Sequence, residues 1–321
     1  MKEKTVLVAL GGNAILRPKQ EATFENQMHN INVSCKFLAK LVQDGFRLVV
    51  THGNGPQIGN ILRQNEEAAH VVPALPLDAL NAESQGLIAY MMQQALQNEL
   101  KLLGIEKSVV SVITRVEVSP DDPAFLNPEK PIGPFYTEEE AKQLAKEKNW
   151  TVKEDSNRGW RRVVPSPEPL HIVEGDTIQQ LIQSGHIVIT CGGGGIPVVR
   201  RANGTYRGIE AVIDKDRSSS KLASQIGADV FLILTATDYV YINYGKENQE
   251  PLSRISVEDL EKYIKEGHFS SGSMGPKVEA ACDFARQGGS SIICAMEEAD
   301  LALEMKSGTH IYSSAHAPVY K

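Results

Sequence analysis

The chain has 321 residues, with 33 Lys and Arg against 40 Asp and Glu and a formal net charge of −7. An acidic balance argues against a nucleic-acid binder, whose electrostatic footprint is basic, but leaves room for a locally positive pocket that takes a small anion. A hydrophobic fraction of 41% is that of a globular protein, and the longest unbroken apolar run, Leu87–Met92, falls far short of the about 20 residues that cross a bilayer.

Thr5–Leu10 is a short, nearly continuous apolar run, as expected for a strand buried on both faces. It is too short for a signal-peptide core and runs into Gly11-Gly12-Asn13, so a cytoplasmic protein is expected. Met28, Ile31, Cys35, Leu38 and Val42 recur at three- and four-residue steps and predict an amphipathic helix closed by Gly45. Phe46–Val50 predicts a second strand. Gly53 to Gln57 breaks it, with Pro56 suited to the first position of the next helix. A long helix is expected over Ala79–Leu103, then a strand over Val109–Val118.

Further strands are expected at Ile187–Thr190, Val230–Leu234, Ser290–Ala295 and Thr309–Tyr312. Helices are expected at Asp176–Gln183, Ser218–Ile226, Ser256–Lys265 and Pro276–Arg286, each followed by a glycine. This alternation predicts an α/β fold with a mostly parallel sheet covered on both faces. Asn203-Gly204 reads as a hairpin turn.

Residues 119–170 break the rhythm with eight prolines. Thr137-Glu-Glu-Glu140 there carries a capping box, and Trp150–Lys153 and Trp160–Val164 are strand-like. A small insertion projecting from the sheet, placed like a lid, is expected. The four cysteines, Cys35, Cys191, Cys282 and Cys294, show no CxxC spacing and read as free buried thiols. The eight histidines form no HExxH or Cys/His cluster, which argues against a protein-ligated zinc.

The most informative pattern is a repeated device. An apolar strand runs into glycines at Gly11-Gly12-Asn13, at Gly53-Asn54-Gly55, and at Gly192 to Gly195. In a parallel sheet these turns share one edge, where exposed N–H groups and helix N-termini attract anions. No GxxxxGK[ST] occurs, and Gly53, Gly55 and Gly59 are out of register for GxGxxG, so neither a P-loop nor a dinucleotide-binding unit is expected.

Three lysines sit in unusual company. Lys130 lies in a proline–glycine stretch expected to be a rigid loop. Lys215 stands between Asp214 and Asp216, and Lys277 opens a helix. The two acids could hold the Lys215 ammonium or help to hold Mg²⁺. Phosphoryl transfer suits this set, because its loose anionic transition state needs mainly alignment and charge neutralisation.

Taken together, Ala9-Leu-Gly-Gly-Asn-Ala14, Thr51-His-Gly-Asn-Gly-Pro-Gln57, Lys130-Pro-Ile-Gly-Pro-Phe-Tyr136, Gly159-Trp-Arg-Arg-Val-Val-Pro-Ser-Pro167, Cys191-Gly-Gly-Gly-Gly-Ile-Pro197, Glu210-Ala-Val-Ile-Asp-Lys-Asp216 and Gly272-Ser-Met-Gly-Pro-Lys277 resemble the carbamate kinases of the amino acid kinase family, almost end to end. The resemblance implies a three-layer αβα open sandwich with a mostly parallel central sheet and a small protruding subdomain. It implies a homodimer and reversible transfer between ATP and carbamate, giving ADP and carbamoyl phosphate with Mg²⁺, in a setting such as arginine or purine-derivative catabolism or carbamoyl phosphate synthesis.

Carried over, residues 1–208 would hold carbamate and phosphoryl through Gly11, Gly12, Asn13, Gly53, Asn54 and Gly55, with Gly193 and Gly194 nearby. Lys130, Lys215 and Lys277 would contact phosphates, with Asp214 and Asp216 around the middle lysine. Mg²⁺ would ride mainly on the nucleotide phosphates, with Asp216 as the candidate side chain. Residues 209–321 would hold the nucleotide, with Thr235, Tyr241, Tyr244 and Met274 lining adenine and ribose. Asn157, where glycine is usual, and Glu83, where an apolar residue is expected, depart from the family pattern. A sister kinase acting on a carboxylate or a nucleoside monophosphate, and a non-catalytic nucleotide sensor, are the alternatives.

Overall fold

The computed structural model describes residues 3–17, 19–155, 159–270 and 273–314. Its centre is an eight-stranded sheet built from β1 (Thr5–Leu10), β2 (Arg47–His52), β3 (Val109–Ser111), β4 (Ile187–Ile189), β5 (Val230–Thr235), β6 (Arg254–Ser256), β7 (Ser290–Ala295) and β8 (Thr309–Tyr312). The spatial order is β6-β8-β7-β5-β1-β2-β4-β3. Every pairing is parallel except β7 with β8. Six of six β1 residues are buried, as the unbroken apolar run requires of a strand covered on both sides.

Two apolar layers cover the sheet. One packs β1 residues Val6, Val8 and Leu10 against α1 (Phe24–Gln43) and α3 (Leu77–Leu102). The other packs Leu7 and Ala9 against α6 (Lys215–Gln225) and α8 (Met274–Arg286). Alternate side chains of one strand thus feed opposite layers. No helix among the described residues is long and apolar enough to cross a membrane.

The expected strand over Val109–Val118 is broken in two. Val109–Ser111 joins the main sheet, while Arg115–Glu117 pairs with Ile196–Arg200 in a separate four-stranded sheet. The break is at Thr114, whose N–H goes to Gln85 Oε1 at 2.9 Å and whose hydroxyl meets Thr190 at 2.6 Å. Ile196–Arg200 returns antiparallel as Tyr206–Gly208. The Asn203-Gly204 turn lies between them, with Gly204 at φ 82°.

The insertion carries its own three-stranded sheet, with Trp160–Val164 between Lys130–Tyr136 and Thr151–Glu154. Its helix α4 (Glu138–Lys148) starts on the expected capping box at Thr137 and Glu140. Lys130 therefore stands on a strand, not in a loop. Pro131 and Pro134 are tolerated because that strand is at an edge and is irregular between Ile132 and Tyr136. The insertion is anchored by a third core in which Ile132 and Val164 meet Ile58 and Leu62 of α2 (Gly55–Ala68), Leu77 and Leu80. Gly59 of α2 packs so close to Gly133 that an added Cβ would lie 3.3 Å from its Cα.

Helix α6 begins three residues before the expected Ser218, because Asp214 caps it and accepts from Asp216 N (2.9 Å) and Arg217 N (3.3 Å). Ser256 proves to be the cap of α7 (Val257–Lys265) rather than its first turn, accepting from Asp259 N at 3.1 Å. All four cysteines are free and buried.

Candidate functional site

Four adjacent parallel strands, β5, β1, β2 and β4, end on the same edge of the sheet. The three glycine turns follow β1, β2 and β4, and Thr235 ends β5. The turns touch one another. An added Cβ on Gly53 would lie 3.2 Å from Lys215 Cδ and 3.8 Å from Gly12 N, and one on Gly11 would lie 3.2 Å from Leu234 O. Gly193 and Gly194 have φ of 64° and 89°, which disfavours any side chain. A Cβ on Gly193 would also fall 2.1 Å from Asn54 Nδ2. The Gly53 N–H already donates to Leu10 O, and the Gly194 N–H to Cys191 O. These two residues therefore serve close backbone approach.

The lysines converge. Lys130 Nζ reaches from the insertion to Asp214 Oδ2 at 2.8 Å. Lys215 Nζ lies 2.5 Å from Asp216 Oδ1, and Lys277 Nζ lies 3.0 Å from Asp216 Oδ2. Lys215 is the first residue of α6 and Lys277 stands in the first turn of α8. Ammonium groups at helix N-termini work against the macrodipole. The two oxygens of the Asp216 carboxylate hold both there, at an edge where helix dipoles and ammonium groups add to one positive potential.

Burial lowers the Lys215 pKa, with Asp216 opposing the shift and Lys277 adding to it. Burial acts to raise the Asp214 carboxyl, but Lys130 and Lys215 overcome it and hold Asp214 well below the usual carboxylate range. His52, beside the second turn, is pushed down to about 4 by burial, with Lys215 contributing, so it is neutral at pH 7.

Several residues that the sequence did not single out hold this arrangement. Ser218 Oγ donates to Gly194 O at 2.7 Å, and Ser219 Oγ meets Thr51 Oγ1 at 2.6 Å, so α6 is stitched to the third turn and to the end of β2. Arg217 pairs with Glu168 in the stem of the insertion and with Glu279 of α8 at 3.0 Å. Asn54 Nδ2 donates to Asn81 Oδ1 (2.9 Å) and Ser84 Oγ (2.7 Å). The run of serines at 218–220 on an apolar-facing helix was the available signal, because buried hydroxyls need partners.

The expected nucleotide residues fall on separate elements. Tyr241 and Tyr244 lie together, rings 6.0 Å apart, on and beside the hairpin strand Val240–Ile242, which pairs with Glu250–Leu252. Tyr241 donates to Asp238 Oδ1 at 2.8 Å, and Tyr244 is 65% exposed. Thr235 is half-buried at the end of β5, and Met274 opens α8 against the core. Asn13 lies exposed in the short 3₁₀ turn Gly12–Ala14, and Gly55 opens α2. Glu83 is exposed on α3, and Asn157 lies outside the described residues.

Among the described residues, no group of three or more His, Cys, Asp or Glu is arranged to hold a metal. Both Asp216 oxygens are engaged by lysines. This donor set fits a Mg²⁺ carried by polyphosphate oxygens better than one caged by side chains.

Residues 4–295 match the family model described as "Amino acid kinase family". A carbamate kinase of Pyrococcus horikoshii is 52% identical over 309 residues, 95% of this chain and 98% of that one. A carbamate kinase of Staphylococcus haemolyticus is 49% identical over 310 residues, again 95% and 98%. Among solved structures, carbamate kinase from Giardia lamblia bound to AMP-PNP superposes with a TM-score of 0.92 at 43% identity, covering 98% of this chain and 99% of that one.

Proposed function

The chain belongs to the amino acid kinase family, within its carbamate kinases, and from that membership we infer a phosphotransferase that interconverts ATP plus carbamate with ADP plus carbamoyl phosphate. The observation that carries the site assignment is the convergence of Lys130, Lys215 and Lys277 on Asp214 and Asp216 beside the glycine turns. In the ATP-forming direction, a β-phosphate oxygen of ADP attacks the phosphorus of carbamoyl phosphate. The new P–O bond forms as the bond to the carbamoyl oxygen breaks, and carbamate leaves with that electron pair.

Both reactants are anions, and the barrier contains their mutual repulsion. The lysines neutralise it, and the glycine turns let the backbone come close without steric obstruction. Asp214 and Asp216 keep the ammonium groups charged and fixed between turnovers. No general base is needed in the reverse direction, because carbamate is already an oxyanion. Mg²⁺, held by the nucleotide phosphates, would supply further charge neutralisation there.

The finer roles are proposals. Gly11, Gly12, Asn13, Gly53, Asn54, Gly55, Gly193 and Gly194 face the carbamoyl phosphate half, in residues 1–208. Thr235, Tyr241, Tyr244 and Met274 line the nucleotide half, in residues 209–321. The AMP-PNP bound by the Giardia relative supports a nucleoside triphosphate as the donor. A homodimer is supported by the apolar rim at the β3 edge of the sheet, where Tyr90 is 56% and Ile113 48% exposed. The free thiols support a reducing, cytoplasmic setting. The acidic charge supports the absence of a nucleic-acid partner.

The test is ATP formation from ADP, Mg²⁺ and carbamoyl phosphate, run beside a panel of other acyl phosphates. Rapid turnover with carbamoyl phosphate alone is expected. Preference for another acyl phosphate would identify a sister kinase, and ADP binding without turnover would identify a sensor.

A further inference from the structure

We propose that Asn81 is a positioning residue that locks the Gly53–Gly55 turn to the Gly192–Gly195 turn, and so sets the spacing of the backbone around the transferring phosphoryl group. The proposal rests on the assignment of those turns to the phosphoryl site.

Asn81 is fully buried in the first half of α3, between Leu77 and Ile88 on the helix face that packs into the protein. An apolar residue would be ordinary there, and a buried amide is costly unless its hydrogen bonds are made. Asn81 makes them to both turns. Its Oδ1 accepts from Asn54 Nδ2 at 2.9 Å, and its Nδ2 donates to Gly195 O at 2.6 Å.

The surrounding bonds fix the direction of this relay. Ser84 Oγ donates to the Asn81 backbone carbonyl at 2.7 Å, which leaves the Ser84 oxygen as acceptor toward Asn54 Nδ2, also at 2.7 Å. The two hydrogens of the Asn54 amide are thereby placed on Ser84 and Asn81. Turning the Asn81 amide over would set one NH₂ group against another and leave Gly195 O facing an oxygen. The network has one arrangement, and it specifies which way each turn faces.

The two turns also need such a link. Gly193 sits against Asn54 with no room for a Cβ, and Gly192 has none against His52, where an added Cβ would fall 2.5 Å from the ring. Contact this close fixes how near the turns come but does not oppose sliding. A directional hydrogen-bond bridge from α3, a rigid 26-residue helix, does. Gly194 O is held independently from the other side by Ser218. The third turn is therefore pinned by one residue from each sheet face.

The experiment measures kcat, the KM for carbamoyl phosphate and the ADP dissociation constant of Asn81→Ala, Asn81→Asp and Ser84→Ala. Asn81→Asp keeps the acceptor for Asn54 and loses the donor to Gly195 O. For both Asn81 variants a fall in kcat of roughly tenfold to a hundredfold is expected, by loss of alignment, with ADP affinity within about twofold of the parent because the nucleotide half is untouched. Should the Asn81 variants fail to fold, Ser84→Ala, which removes one Asn54 partner, carries the test with an expected kcat loss of about threefold to tenfold.

Unchanged kcat in every folded variant overturns the proposal. Loss of ADP binding in parallel with kcat also overturns it, because that marks a general core role. If Lys215→Ala instead turns over like the parent, the phosphoryl-site assignment itself fails, and that outcome is separate from the Asn81 results.

Discussion

Lys130 crosses from the edge strand of the insertion to Asp214, the cap of helix α6, at 2.8 Å. The ion pair joins the subdomain to the helix that carries Lys215 and Asp216. Lys130→Ala is expected to lower kcat by about 10²–10³, as loss of an electrostatic stabiliser does. Its melting temperature should fall as well, because the substitution leaves Asp214, whose side chain is 13% exposed, without the ammonium that holds its carboxyl low. A kcat and melting measurement on the same preparation separates the two effects.

Acid should weaken the fold in two windows. The folded His52 titrates near 4, below the ordinary imidazole value of 6.5, so the unfolded chain takes up its proton first. Its contribution is complete above about pH 6.5, declines as pH falls through about 4, and amounts to roughly 3 kcal/mol at most. The carboxyl of Asp214 is held low, so its contribution is present above about pH 4 and is lost only below that. Urea melts from pH 7 to 3 should show His52→Gln flattening the upper window and Asp214→Asn the lower. Parallel pH curves for all three proteins would contradict both assignments.

The third glycine turn should tolerate no side chain. Gly193→Ala introduces a Cβ 2.1 Å from Asn54 Nδ2 at a positive φ, and a loss of about 2–4 kcal/mol is expected from strain plus displacement of a buried amide. Gly12→Ala, where a Cβ meets nothing within 4 Å, should keep most of the stability. Equal melting temperatures for the two variants would show that the turn is looser than its geometry.

The thiols should be inert in the native state. Burial is the leading cause that pushes Cys35, Cys191, Cys282 and Cys294 each up to about 12, and the thiolate is the reactive species. Iodoacetamide at pH 8 is expected to leave activity intact and to label four sites only after unfolding. Rapid inactivation with labelling of one cysteine would contradict this.

Much of the fold could be read from residue order, because apolar runs and closing glycines mark buried strands and helix ends directly. What escaped was where polar side chains interrupt the pattern. Thr114 turns the chain out of the sheet through bonds to Gln85 and Thr190 that no local periodicity announces. Helix α6 opens on Asp214-Lys-Asp-Arg, a polar turn without apolar periodicity, so the pattern places the helix start only at Ser218. The three lysines stood out because each broke the rule that lysine occupies a solvated face. Asn81 did not, because an amide inside an amphipathic helix looks like any other polar residue until its partners are known.

Lys215 is the centre of the site, its side-chain stem against Gly53 of the second glycine turn and its ammonium on Asp216. The deciding measurement is the rate of ATP formation from carbamoyl phosphate and ADP by Lys215→Ala, with ADP binding and melting recorded alongside. A fall of about 10²–10⁴ in kcat with the fold preserved is predicted. Turnover within a factor of about three of the parent, below even one stabiliser's contribution, would contradict it.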